Sequence, residues 1–379
     1  MSYEIEALAG NESLLQEHSA VFRNAHVVAL AQGIAIIPMT YDLFEEISAH
    51  ATGKADTRLH GFEFLSSALA TWAKQISRDG PIAYFEADYF GGMGSQKAIV
   101  WKGGVVTAGP LHGDAIDQAL RMLGVERAAH NDEFDSVGLG KERRTEAWAA
   151  KAIVGDLLNR AEEPIPALVE ALHYECKSGS LQGRVRSYAA RSLGQFGSAA
   201  RAAIPALVQS LKADADSRVH ASAAFALAAI GPEEVVLPAL ISVLNHAAYE
   251  KRWPIVQALG ELGPPAKEAI PALVKVLQDQ ILHDYLGVRR GAAESLGKIG
   301  PEARAAVPAL IEALKDENWT VRSAAAEALG AIGSEARHVA SALNDARNDD
   351  SQWVREAASR ALAKVRGKGA SAETDQGNI

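Results

Sequence analysis

The sequence predicts an α+β domain over residues 1–140, followed by an all-α superhelical solenoid over residues 141–367. Two short markers that recur in a fixed order along the second part of the chain indicate the solenoid. The first part shows no repeat, and strand-like alternation there is interleaved with helix-like segments. The polar segment 368–379 is expected to be a disordered tail.

The first marker is the tripeptide Pro-Ala-Leu. Its proline recurs at intervals of 39, 33, 33 and 37 residues, and a degenerate copy begins at Ser341. The prolines are Pro166, Pro205, Pro238, Pro271 and Pro308. Proline suits the first turn of a helix, where its missing N–H would have no acceptor within the helix. Each copy therefore predicts the start of a helix, called helix A below.

The second marker is a Val-Arg pair with a glycine twelve residues after the valine. Three copies begin at Val185, Val288 and Val321, and variants begin at Val219, Lys251 and Val354. The residues between marker and glycine are rich in alanine, and glycine is a typical residue just after a helix end. Each copy therefore predicts a second helix, helix B, so that the array contains about six helix pairs.

The spacing between the markers shows which connections can vary in length. From each helix B marker to the next helix A marker the distance is 19 or 20 residues, whereas from helix A to helix B it ranges from 13 to 19. The turn inside a pair therefore tolerates insertion, as in stacked solenoids. Two turns are enlarged, 174–183 and 279–287. Loops on a rigid scaffold often carry function, and neutral drift at a tolerant position is the alternative explanation.

This pattern resembles the HEAT-repeat family, in particular its bilin-lyase-like variant with short repeats. The resemblance implies that helix B lines a concave face where partners bind, and that an aspartate–arginine ladder supports the stack. The ladder would use Asp216, Asp279, Asp316 and Asp350 with Arg186, Arg289, Arg322 and Arg355. The helical run 142–160 is expected to cap the first pair and join it to the N-terminal domain.

The N-terminal domain is predicted to contain an antiparallel or mixed sheet. Strands are expected over 25–30, 34–37, 81–88, 96–101 and 105–108, and helices over 40–48, 62–78 and 115–123. The domain resembles an uncharacterised bacterial domain, for which the resemblance implies no particular activity.

Two acidic segments of this domain are its most distinctive features. The segment 84–96 is rich in glycine but lacks the Gly-Lys-Ser/Thr sequence of a phosphate loop. Glu86 and Asp88 share one face of a strand, which suits acid–base chemistry, but no histidine or nucleophile is near in sequence. An exposed aromatic–acidic surface at a turn is the interpretation we favour. The segment 131–140 lacks EF-hand spacing and is expected to be a solvated acidic loop.

The charge and the cysteine content argue against several classes of function. Residues 1–150 carry 20 acidic and 12 basic side chains, and the remaining residues are nearly neutral, so the net charge of −9 argues against general nucleic-acid binding. The single cysteine, Cys176, excludes an internal disulfide framework and a multi-thiolate metal site. No secretory signal or membrane span is apparent, which points to the cytoplasm.

These observations favour a non-catalytic protein–protein interaction scaffold without cofactor or metal. The specific hypothesis is a bacterial immunity protein that neutralises a cationic toxin. The alternatives are a HEAT-like lyase or isomerase and a nucleic-acid-binding HEAT-like protein. Tryptophan, tyrosine and arginine dominate binding hot spots. The predicted contact residues are Arg184, His220, Trp253, Tyr285, Arg290, Trp319 and Trp353, with Glu86, Asp88, Tyr89, Asp132, Glu133 and Asp135 in the N-terminal domain.

Overall fold

A six-stranded sheet organises the first part of the chain. Its strands are β1 (Ser2–Asn11), β2 (Val28–Ala29), β3 (Ile34–Pro38), β4 (Ile82–Phe90), β5 (Met93–Lys102) and β6 (Val105–His112). Their order is β2-β3-β1-β4-β5-β6, and every neighbouring pair is antiparallel. The α+β prediction is confirmed, and the sheet is antiparallel rather than mixed.

The strand β1, which lies inside the sheet, was missing from the sequence prediction. Its residues Ile5, Ala7, Leu8 and Ala9 are all fully buried. Because both faces of the strand are covered, its sequence lacks the apolar–polar alternation that identifies a strand with one solvated face.

Helices cover both faces of the sheet. Leu15, Leu43 and Leu69 pack with Tyr84 on one face, whereas Ile116 and Trp148 pack with other residues on the opposite face. The first face carries α1 (Glu12–Ser19), α2 (Tyr41–His50) and α3 (Ser67–Ile76), and the second carries α4 (Ala115–Met122), α5 (Glu133–Val137) and α6 (Thr145–Arg160).

The helix α6 packs against the sheet and also contacts the next helix, α7 (Pro164–Ala171). Trp148 is 1% exposed and belongs to the same core as Ile5 and Phe85. The backbone N–H of Glu6 donates to the Thr145 hydroxyl at 2.9 Å. The chain divides into the units Met1–Tyr188 and Ala189–Ile379, and the boundary falls within the helix α8 (Gly179–Gln195) of the first helix pair.

Six helix pairs follow α6 within the part of the chain that the structure describes. The helices A are α7 (Pro164–Ala171), α9 (Ile204–Ala213), α11 (Val236–His246), α13 (Ile270–Leu277), α15 (Val307–Ala313) and α17 (Arg337–Ala346). The helices B are α8 (Gly179–Gln195), α10 (Ser217–Ile230), α12 (Tyr249–Leu262), α14 (Leu286–Ile299), α16 (Trp319–Ile332) and α18 (Gln352–Asp375). The last helix continues into the segment 368–379, for which the sequence predicts disorder.

The structure is a computed structural model, and it describes most of the chain. The described residues are 2–50, 58–59, 61–90, 93–128, 131–142, 144–231, 234–279, 286–333 and 337–375.

Prolines occupy the first turns of α7, α9, α13 and α15, and glycines follow α10, α12 and α16, as the two markers predict.

In the second unit the helices B lie side by side in chain order, and small residues allow their close approach. A Cβ atom at Gly330 of α16 would lie 2.7 Å from the Cα atom of Ala361 in α18. At Gly297 of α14, a Cβ would lie 3.0 Å from the Cα of Ala328. The glycines therefore set the distance between neighbouring helices B.

We expect Gly330→Ala to lower the free energy of unfolding by about 1–2 kcal/mol, because the added methyl group overlaps the backbone of α18. The matched control is Gly155→Ala in α6, where a Cβ would meet no atom within 4 Å. There the same change should stabilise by about 0.5–1 kcal/mol through helix propensity. Urea denaturation of both variants measures the difference, and equal effects would contradict the close approach.

Candidate partner-binding surface

Exposed and half-buried side chains on helices B of the second unit form one surface, which we call the helix-B face. It carries two aromatic pairs and a set of ion pairs. Its residues are Phe225, Trp253, Glu261, Arg290, Glu294, Lys298, Trp319, Glu327, Trp353 and Arg360.

The first aromatic pair links α10 and α12. The ring centroids of Phe225 and Trp253 are 6.4 Å apart with an edge-to-face angle of 74°, and the residues are 37% and 45% exposed. The second pair links α16 and α18. The centroids of Trp319 and Trp353 are also 6.4 Å apart, with their planes at 25°, and these residues are 44% and 63% exposed.

Ion pairs also lie on this face. Lys298 Nζ lies 2.5 Å from Glu261 Oε1, and Arg360 Nη2 lies 2.8 Å from Glu327 Oε1, so each pair links two helices B. A cavity of about 430 Å³ lies beside them and is lined by alanines and by both signs of charge. Exposed ion pairs contribute little stability. Their balanced charge offers no cationic stripe for a phosphate backbone.

The arginine–aspartate ladder is structural, and it connects neighbouring helix pairs. Three rungs have the same spacing of 27 residues along the chain. They are Arg252–Asp279 at 3.1 Å, Arg289–Asp316 at 2.9 Å and Arg322–Asp349 at 2.8 Å. The Arg289 side chain is only 5% exposed, so these arginines support the stack.

Two of the predicted ladder arginines also donate to backbone oxygens. Arg186 donates to the carbonyl of Tyr174, and Arg355 donates to the carbonyls of Asp349 and Asp350. Asp216 pairs with the adjacent Arg218 at 2.6 Å.

His220 was predicted to contact a partner, and this prediction is wrong for its side chain. It is 2% exposed and occupies the ladder position of α10, where its Nε2 lies 3.1 Å from the carbonyl oxygen of Lys251. Burial lowers the pKa of His220 below its usual value. The residue is therefore a neutral core histidine that substitutes for a ladder arginine.

The other predicted contact residues of the repeats lie in different places. Arg290 is exposed on the helix-B face and pairs with Glu294 at 2.7 Å. Arg184 is half-buried on α8 in the first unit. Tyr285, with most of the enlarged turn 279–287, lies outside the described residues.

The acidic surface predicted around Glu86 is wrong for that residue. Glu86 is 7% exposed and accepts hydrogen bonds from the backbone N–H groups of Glu63, Phe64 and Leu65 at 2.8–3.0 Å. The Tyr84 hydroxyl donates to it at 2.9 Å. Asp88 is exposed and Tyr89 is half-buried. The strand β5 follows this segment, so no helix N-terminus is available for a phosphate; Gly91 and Gly92 lie outside the described residues.

The second acidic segment forms a short helix rather than a solvated loop. Asp132 caps α5 by accepting from the backbone N–H of Asp135 at 2.8 Å, and Asp135 itself is exposed. Glu133 is 4% exposed and pairs with Arg121 at 3.1 Å. Only part of this segment is therefore accessible to a partner.

Cys176 lacks the environment of a reactive thiol. Its Sγ donates to the carbonyl oxygen of Ser178 at 3.2 Å. Burial and the charge of Asp42 raise the pKa of this thiol above its usual value, so it stays protonated at neutral pH. Among the described residues, no group of three or more His, Cys, Asp or Glu side chains is placed to hold a metal ion.

Phe225 and Glu6 were not singled out from the sequence. Phe225 occupies the position of helix B that holds Glu294, Glu327 and Arg360 in later repeats, so an aromatic residue at a charged position was the available signal. Glu6 lies opposite Glu86 across β1 and β4, and this juxtaposition depends on strand pairing that the sequence alone does not specify.

The fold and this surface define an α-solenoid repeat protein. The sequence matches the family model of HEAT repeats over residues 165–246, 237–305 and 280–363. Because these segments together cover more than half of the chain, the chain belongs to the HEAT-repeat family. No curated protein matches the sequence.

The chain is also similar to several solved structures. An engineered protein is 24% identical and covers 54% of this chain and 97% of its own, with a TM-score of 0.39. The CpcE–CpcF complex of phycocyanin lyase from Nostoc sp. is 23% identical and covers 42% and 98%, with a TM-score of 0.35. A designed armadillo repeat protein in complex with the peptide (KR)4 is 20% identical and covers 54% and 100%, with a TM-score of 0.42.

Within the described residues, no helix is both long enough and apolar enough to cross a membrane.

Proposed function

We propose that this HEAT-repeat protein is a non-catalytic scaffold that binds a protein partner on its helix-B face. The observation that carries the proposal is the presence of two exposed aromatic pairs on that face, Phe225–Trp253 and Trp319–Trp353. Exposed aromatic clusters rimmed by charged side chains mark interaction sites on soluble proteins. Tryptophan is also the residue type most enriched among binding hot spots.

The partner that we propose is a cationic protein. Residues 1–150 hold an excess of eight acidic side chains, with 20 acidic against 12 basic, and such a field speeds the association of an oppositely charged protein. The specific role that fits these features is bacterial immunity, in which the chain neutralises a cationic toxin in the cytoplasm.

An enzyme would need a reactive group, and the raised pKa of the Cys176 thiol speaks against that residue as a nucleophile. Metal analysis and an absorption spectrum of the purified chain test for a lyase or isomerase. A bound tetrapyrrole or stoichiometric metal would contradict the scaffold proposal.

The double substitution Phe225→Ala/Trp253→Ala is expected to weaken partner binding at least about tenfold, because it removes the aromatic pair from α10 and α12. The control is Val235→Ala, which shortens a side chain that is 57% exposed at the start of helix A α11. Affinity capture from the source organism, followed by titration of the captured partner, measures both variants. Equal affinity of all three proteins would place the site elsewhere.

Immunity has its own readout. Cells that express the captured partner alone should stop growing, and co-expression of the full chain should restore growth. A captured partner that is harmless when expressed alone would refute immunity while leaving the scaffold proposal intact. Strong retention of DNA that falls steeply with salt would favour the nucleic-acid alternative.

A further inference from the structure

The second aromatic pair differs from the first in its geometry and its surroundings. Among the described residues, Trp353 is the most exposed large apolar side chain, at 63%, followed by Val21 at 62%. Three other tryptophans of the chain, Trp72, Trp101 and Trp148, are at most 8% exposed. Trp319 and Trp353 are nearly parallel, so their indole faces can act on the same group.

Carboxylates flank both tryptophans along the chain. Glu317 precedes Trp319 by two residues, and Asp350 precedes Trp353 by three; their side chains are 59% and 87% exposed. Glu356, one helical turn after Trp353, is 45% exposed. Residues three or four apart on a helix lie on the same side, so Trp353 and Glu356 face the same direction.

The basic residues of the same stretch are paired with acidic side chains or backbone oxygens, including the 58% exposed Arg360, which pairs with Glu327 at 2.8 Å. The Arg322 side chain is 11% exposed and donates to both carboxylate oxygens of Asp349 at 2.8 Å. Arg355 donates to the carbonyl oxygens of Asp349 and Asp350. Asp350 and Glu356 each lie in an ion pair, with Arg322 Nη2 at 2.5 Å and with Arg360 Nη1 at 3.9 Å, but their side chains remain 87% and 45% exposed, so both carboxylates can also accept from an incoming cation.

An indole face and a carboxylate together bind cations. A cation over tryptophan is attracted by the ring quadrupole. A guanidinium is planar, less strongly hydrated than an ammonium, and can donate two parallel hydrogen bonds to a carboxylate while it stacks on an aromatic ring. These properties favour arginine over lysine at this place.

We propose that the Trp319–Trp353 pair, with Asp350 and Glu356, binds an arginine side chain of the partner. This inference rests on the proposed function and gives its cationic partner a specific contact: an arginine-bearing segment that reaches the helices α16 and α18. Aspartate- and glutamate-rich segments are excluded by the same carboxylates.

Fluorine NMR of the full chain labelled with 5-fluorotryptophan tests the contact, since the sequence contains six tryptophans and single Trp→Phe variants assign each signal. The probe is a tetra-arginine peptide, compared with tetra-lysine and tetra-glutamate peptides. We expect tetra-arginine to shift the Trp319 and Trp353 signals and leave the three buried tryptophans unchanged. Trp353→Ala should weaken its binding about tenfold, and tetra-lysine should bind about threefold more weakly.

The reverse results would overturn the contact. One such result is a Trp319 signal that tetra-arginine does not shift, and another is a shift of equal size with tetra-glutamate. An affinity for tetra-arginine that Trp353→Ala does not change would also contradict the contact, as would self-association of the chain that depends on Trp353. Glu356→Gln should weaken tetra-arginine binding without unfolding the chain, because the Glu356 side chain is 45% exposed. If the captured partner still binds Trp353→Ala with full affinity, the arginine contact is wrong while the scaffold function stands. If no partner is captured but the tetra-arginine peptide still binds through Trp353, the scaffold function is wrong while the arginine-binding site stands.

Discussion

Replacing Glu86 by alanine is expected to lower the free energy of unfolding of the first unit by about 4 kcal/mol. The buried carboxylate accepts three backbone N–H groups from residues 63–65 and the hydroxyl of Tyr84. Without it, the Leu65 N–H and the Tyr84 hydroxyl remain buried and unpaired, and the turn that leads into α3 loses its anchor. Chemical denaturation at pH 5 measures the loss, because Glu6 is protonated there and its repulsion with Glu86 does not contribute.

Asp88→Ala is the matched control for this prediction. Asp88 lies two residues further along β4 on the same face but is exposed, so its removal should change stability by less than about 0.5 kcal/mol. Tyr84→Phe, which removes one of the four donors, should cost about 1 kcal/mol. If Glu86→Ala were as stable as Asp88→Ala, the hydrogen-bond network would have no structural role.

Glu6→Gln is expected to stabilise the protein at alkaline pH and to have little effect at pH 4.5. Burial, followed by repulsion from Glu86, raises the pKa of Glu6 from 4.5 to about 8. Between these pH values the folded chain keeps a proton that the unfolded chain releases, so the free energy of unfolding falls as pH rises through this window. Glutamine is neutral throughout and removes the fall, a gain of about 4–5 kcal/mol at pH 8.5.

The measurement is the free energy of unfolding against pH for the wild type and the variant. Glu17→Gln, an exposed glutamate on α1, is the control and should reproduce the wild-type profile. Parallel profiles for wild type and Glu6→Gln between pH 5 and 8.5 would show that Glu6 ionises normally in the folded chain.

The repeat array was predictable from sequence because every helix pair must meet the same backbone requirements where its helices begin and end. Proline at a helix start and glycine after a helix end mark local backbone requirements, so they appear in the sequence wherever the helices occur. The sheet was less accessible, since the pairing of β1 with β4 joins residues about eighty positions apart. The burial of β1 on both faces also removed its alternation.

The candidate site was predictable in residue type but not in arrangement. Tryptophan at 253, 319 and 353 suggested contact residues, yet the pairing of Trp319 with Trp353 depends on how α16 lies beside α18. Glu86 and His220 were misjudged because a polar side chain in a sequence gives no sign of buried backbone partners. For His220 the signal was its alignment with the ladder arginines.

Because the arginine–aspartate rungs have a constant spacing of 27 residues, the turns of the repeat array can change in length without moving the helices B. Each rung ties a helix B to the turn of the following pair, so it spans the connection of fixed length. Residues added within a turn, beyond the aspartate, leave the rungs at the same separation. The pitch at which helices B present their side chains is thus independent of turn length. New loops can be acquired at the edge of the array while the periodic contact surface keeps its dimensions.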